Sequence, residues 1–139
     1  MKLMTMIMTA VLLAGGAWAK DVDWERDYDA ALAKAKKEKK LVMIDIYTDW
    51  CGWCKKLDKD TYSDKDVQAK LAKDFIAVKI NAEKGAKNQK ISSDFGARSY
   101  PHIVFTDAAG KKIDEIGGYM GPAGFATALD EVKKKVDAK

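Results

Sequence analysis

The chain has 139 residues, enough for a single domain with a core of its own, and its 47% apolar and 33% charged residues suit an ordinary globular protein. Its formal net charge is only +4, with lysines and acids interspersed. Disordered and fibrous chains are thereby excluded, as is the strong field of a nucleic-acid or membrane-surface binder. The lysine runs Lys36-Lys37 and Lys133-Lys134-Lys135 read as solvated helix faces.

Residues 1–19 have the form of a signal peptide. Lys2 supplies a positive start, Leu3 to Ala14 is almost wholly apolar, and Ala17-Trp18-Ala19 is an A-x-A cleavage site. The apolar run is shorter than the roughly 20 residues a membrane span needs. The expected organisation is a signal peptide over 1–19, cut after Ala19, and one domain over 20–139. The expected compartment is the bacterial periplasm, where disulfides persist.

In the mature chain, Asp21 or Asp23 is placed to cap a helix running to about Lys39, with Trp24, Tyr28, Ala31, Leu32 and Ala35 as its apolar stripe. Leu41 to Tyr47 is a continuous apolar run holding one carboxylate, Asp45, and predicts a strand buried on both faces. A helix follows, on which Trp53, Cys54, Leu57 and Thr61 share a face. Ser63 and Asp66 suggest a capping box for the next helix, with Val67, Leu71 and Ala72 inside. Phe75 to Ile80 predicts a second strand, and Glu83 to Phe95 a polar helix anchored by Ile91 and Phe95. Ser99 to Thr106 is a third strand with Pro101 at its start, and Lys111 to Ile116 a fourth. The short turn between these two makes them an antiparallel hairpin. Gly117-Gly118 breaks the chain, and Pro122 opens a last helix lined by Phe125, Leu129, Val132 and Val136. The predicted fold is α/β, a mixed four-stranded sheet flanked by helices and preceded by an N-terminal helix.

Cys51 and Cys54 are the only cysteines. A disulfide closing so small a loop removes little unfolded-state entropy, so the pair is better explained as chemistry than as a staple. Cys51 opens a helix, where unpaired N–H groups and the positive end of the macrodipole favour thiolate. A thiol pKa lowered by one to two units corresponds to roughly 1.4 to 2.7 kcal/mol. Cys51 is therefore the expected exposed nucleophile, and Cys54, a turn further in, the resolving thiol. Asp45 lies six residues before Cys51 in an apolar strand. A buried carboxylate needs a partner or a proton, which suits Asp45 to shuttling the Cys54 proton. Lys79, in the neighbouring strand, is its natural counter-charge. Pro101 fits either a trans bond or a cis turn. Structural zinc needs about four Cys or His ligands, and only His102 remains beside the pair, so no metal is expected.

The run Trp50-Cys51-Gly52-Trp53-Cys54-Lys55, with Asp45 upstream, Tyr100-Pro101 and Gly117-Gly118, resembles the thioredoxin superfamily over the whole mature chain. Thr48-Asp49-Trp50-Cys51 and the segment Lys59 to Val67 look most like the C-terminal periplasmic domain of DsbD-type thiol reductant transporters. The resemblance implies a Cys51–Cys54 redox-active disulfide, Asp45 as the proton-transfer acid beside Lys79, and a cis Pro101. It implies a substrate groove bordered by Trp50, Tyr100 and Pro101, with Gly52 and Trp53 as the dipeptide that tunes potential and partner choice. His102 stands where the family usually has threonine. The implied function is a periplasmic protein-disulfide reductase, monomeric and without cofactor, acting on protein thiols and disulfides and fed by a membrane donor of the DsbD type. A disulfide oxidase or isomerase, and a non-catalytic binding module, are the alternatives.

Overall fold

The computed structural model describes residues 20–139, so the expected signal peptide over 1–19 lies outside the described residues. The central strand forms where the apolar run predicts it. Leu41–Tyr47 is β2, buried throughout except at Tyr47. Phe75–Asn81 is β3 and pairs with it in parallel, Asp45 opposite Lys79. His102–Thr106 is β4, antiparallel to β2, and Lys112–Gly117 is β5, antiparallel to β4.

One strand goes beyond the expected four. Trp24–Glu25 forms a short β1 parallel to β3, giving the order β1-β3-β2-β4-β5. Two residues are too few to display an alternating pattern. Trp24 therefore belongs to the sheet edge rather than to the first helix. That helix, α1 (Tyr28–Glu38), begins later than expected because Asp27, not Asp21 or Asp23, caps it by accepting a hydrogen bond from the Ala30 amide at 2.8 Å.

The remaining helices are α2 (Gly52–Asp60), α3 (Lys65–Asp74), α4 (Ala86–Asp94) and α5 (Pro122–Asp137). Asp64, rather than Ser63, caps α3, its carboxylate accepting from the amides of Asp66 and Val67. Ser63 instead donates to the Lys59 carbonyl at the end of α2. Pro122 takes the first turn of α5, where its missing N–H costs no hydrogen bond. Gly118 has φ +89, a left-handed backbone that a side chain would strain, and its amide donates to the Pro101 carbonyl at 2.8 Å.

Two apolar layers sandwich the sheet. Met43 and Phe105 pack with Leu57 of α2, Val67 of α3 and Phe125 of α5. Ile44 and Val104 pack with Ala31 of α1 and Ile91 of α4 on the other face. Alternation along β2 puts Asp45 on the same face as Met43, beneath the layer that contains α2. Among the described residues, no helix is long and apolar enough to cross a membrane.

Candidate active site

Cys51 is the N-cap of α2, with extended backbone, and its Sγ accepts a hydrogen bond from the Cys54 amide at 3.0 Å. The first turn of the helix therefore delivers an N–H donor and the positive end of its dipole to this one sulfur. Cys51 and Cys54 form a disulfide with their Cα atoms 5.3 Å apart. In this oxidised form Cys51 is 4% exposed and Cys54 3% exposed, so the expected contrast in burial is absent. The covalent bond holds both sulfurs at the buried start of the helix. What distinguishes them is position on α2, not exposure.

Asp45 is fully buried, and its Oδ2 accepts from Lys79 Nζ at 3.2 Å. The same ammonium donates to Asp58 Oδ1 at 2.7 Å, and Asp58 sits on α2 one turn beyond Cys54. Burial pushes the Asp45 carboxyl above its ordinary value, against the pull of Lys79. Burial also opposes the charge on Lys79, but Asp45 and Asp58 together outweigh it and hold the ammonium above its usual value. Three rings enclose this ammonium, with centroids of Trp24 and Tyr47 each at 4.9 Å and Tyr62 at 5.6 Å.

The surface around the disulfide is aromatic. Among the described residues, Trp50 and Trp53 are the exposed large apolar side chains, at 69% and 58%. Trp50 meets Tyr100 edge-on at 6.0 Å, and its indole N–H donates to Glu83. Asn81 ties the same loop to β3 by donating to Asp49 at 3.0 Å. The Tyr100–Pro101 peptide is cis, and Pro101 is buried. Trp53 points away from the inner face expected for it and packs on Tyr119, 5.5 Å between centroids. Tyr119 is held in place by its own hydroxyl, which donates to Asp60 at 3.2 Å. Gly52 has open space where a side chain would project.

Residues 23–108, more than half of the chain, match the protein family described as thioredoxin-like. The chain belongs to this family. It is 35% identical over 107 residues to the thiol:disulfide interchange protein DsbD of Yersinia enterocolitica, a match covering 76% of this chain and 18% of that protein. The chain thus spans about a fifth of the length of that relative. In three dimensions it is similar to a DsbH oxidoreductase, with a TM-score of 0.73, 24% identity and coverage of 84% and 87% of the two chains. It is also similar to the oxidised C-terminal domain of DsbD from Neisseria meningitidis, with a TM-score of 0.65, 22% identity and coverage of 78% and 98%. At those identities the two structures speak to the fold alone. The chain is thus a thioredoxin-like domain that carries a Cys51–Cys54 disulfide at the start of α2.

Within this thioredoxin-like site the structure brings together Cys51, Cys54, Trp50, Trp53, Tyr100 and Pro101 at one end of the sheet. Asp45 and Lys79 pair beneath α2. His102, which follows Pro101, has its ring hydrogen-bonded to Glu115 across the hairpin at 3.0 Å. Sequence reasoning passed over Asp58, Tyr62, Tyr119 and Glu83. Asp58 carries a readable signal, an acid four residues after Cys54 on one helix face. The others are brought in by tertiary packing and carry none.

Among the described residues, no group of three or more His, Cys, Asp or Glu is arranged to hold a metal ion.

Proposed function

We propose that this chain is a periplasmic protein-disulfide reductase. Residues 1–19 direct its export and are removed, and residues 20–139 act as a monomer. The observation that carries the reading is the capping of α2 by Cys51, which gives one sulfur of the pair the helix N-terminus.

The layout supports the following reaction. Reduced Cys51, as thiolate, attacks one sulfur of a substrate disulfide. A Cys51–substrate disulfide forms, and the other substrate sulfur leaves as thiolate and takes a proton from water. Asp45 then accepts the Cys54 proton. The Cys54 thiolate attacks Cys51 Sγ, the Cys51–Cys54 bond forms, and the second substrate thiolate leaves. Two electrons have passed to the substrate, and a membrane dithiol donor of the DsbD type returns the pair to the reduced state. Trp50, Trp53, Tyr100 and Pro101 border the groove that receives the substrate chain, and Gly52 leaves its floor open.

Direction is tested by equilibrating the pair with glutathione. A reductant gives a potential near the roughly −270 mV of thioredoxin, together with reduction of insulin. A value near the roughly −120 mV of a strong oxidant overturns the reductase reading in favour of disulfide formation.

A further inference from the structure

Tyr62 carries a buried hydroxyl that the reaction above does not use. It follows α2 directly and is 5% exposed. Its ring packs edge-on against Trp24 at 4.8 Å and Phe125 at 5.6 Å, so packing sets its orientation. Lys79 Nζ lies over its face.

Among the described residues, three buried side-chain oxygens have no hydrogen-bond partner in the oxidised form: Tyr62 Oη, Asp45 Oδ1, and Thr48 Oγ1, which precedes the cysteines. A buried donor and a buried acceptor left unmet in the same interior are costly, and pairing them removes both costs. Both surround the Lys79 ammonium, which donates to Asp45 Oδ2 at 3.2 Å and lies 5.6 Å from the centre of the Tyr62 ring. Burial, and after it the Asp45 charge, raises the phenol well above the ordinary tyrosine value, so it keeps its proton at any physiological pH. The titratable and charged groups that act on Asp45 are Lys79 from β3, Asp58 from α2, and Tyr62. On the β4 side Asp45 pairs with Ile103, which carries no charge.

We propose that Tyr62 is a positioning residue for the redox pair: its phenol donates to Asp45 Oδ1 while Lys79 holds Oδ2, and the two together keep this buried carboxylate ionised to accept the Cys54 proton. Lys79 alone satisfies one oxygen and leaves the other in an apolar setting. A donor to the second oxygen stabilises the ionised form more than the neutral one, because the protonated carboxyl accepts less strongly. The final link, from Asp45 to Cys54, rests on the proposed reductase reading; the link from Tyr62 to Asp45 does not.

Tyr62→Phe tests the idea with little disturbance, since the ring, its packing on Trp24 and Phe125, and the ammonium over its face are kept. Carbon-13 NMR follows the Asp45 carboxyl across pH in reduced wild-type protein and in Tyr62→Phe. The midpoint is expected to rise by roughly one to two pH units in the variant. The pH profile for resolution of a Cys51 mixed disulfide should move upward with it. Coincident midpoints, or a shifted midpoint with an unshifted profile in an active protein, overturn the proposal. A second readout needs no variant. The Tyr62 hydroxyl proton in reduced wild-type protein should resonate downfield and exchange slowly, and a freely exchanging proton contradicts the bond. If the midpoint shifts while no protein disulfide is reduced, the reductase reading fails and the Tyr62–Asp45 link stands. If disulfides are reduced and the midpoints coincide, the reverse holds.

Discussion

Lys79 Nζ lies 3.2 Å from Asp45 Oδ2, and the two residues are register partners on the parallel strands β3 and β2. The pair is buried, with side-chain exposures of 8% and 0%. Lys79 also reaches Asp58, whose side chain is 47% exposed, so one ammonium connects the buried carboxylate with the solvent-facing side of α2. Such an arrangement is a poor source of stability, because desolvation offsets most of the attraction. The pair holds a titratable acid beneath the helix that bears Cys54.

The raised Asp45 pKa has a consequence for stability. A carboxyl that binds its proton more tightly in the folded than in the unfolded state favours folding below the unfolded value near 3.8, and that contribution is lost as pH rises through the folded value. Asp45→Asn cannot ionise and escapes this loss. Its Lys79 keeps Asp58 as a partner at 2.7 Å, and Lys79 itself titrates only at much higher pH. Urea unfolding of the oxidised proteins should show the variant gaining stability relative to wild type as pH rises from acid to neutral. A stability difference that stays constant, or moves in favour of the wild type as pH rises, contradicts the assignment.

Trp53 offers a test of the groove. It is exposed, stacks on Tyr119, and has the Lys56 ammonium 5.3 Å from its ring. Trp53→Ala should change stability by less than about 1 kcal/mol, as exposed positions do. For a protein disulfide, KM should rise about tenfold, the equivalent of about 1.4 kcal/mol of lost contact. Oxidised glutathione, too small to span the groove, should react almost as before. Equal losses for both substrates would place Trp53 in the chemistry rather than in binding.

The capping of α3 separates two residues that the sequence alone does not. Asp64 accepts from two amides, each at 3.1 Å. Asp64→Ala should lower the unfolding free energy by about 1 kcal/mol, the usual value of an N-cap. Ser63→Ala, which removes only a hydroxyl bonded to the preceding helix, should cost clearly less. Thermal or denaturant unfolding of the two variants decides, and a larger loss at Ser63 would contradict the capping seen here.

Much of this was legible beforehand because the signals were strong and local. The apolar runs at Leu41–Tyr47 and Phe75–Asn81 announce central strands, and a lone carboxylate and a lone ammonium within them announce a pair. Pro122 and Gly118 mark chain breaks through backbone geometry that few residues tolerate. What failed was either short or tertiary. Trp24 fitted a helical stripe, yet Asp27 delays the helix and leaves Trp24 to pair with Ala77 at the sheet edge. Trp53 fitted the inner face of α2 by spacing, yet Tyr119 from a distant loop draws it outward. Tyr62, Tyr119 and Glu83 become site residues only once the loops have packed, and no periodicity encodes that.

Cys51 is the proposed attacking thiol and Cys54 the resolving one. The most direct measurement is trapping of an oxidised protein substrate by reduced single-cysteine variants. Cys54→Ala, which keeps the helix-capping thiol, should accumulate a mixed disulfide through Cys51 that thiol reductant releases. Cys51→Ala should give almost none under the same conditions. Adducts on Cys54 in place of Cys51, or none from either variant where another thioredoxin-like reductase yields them, would contradict the account.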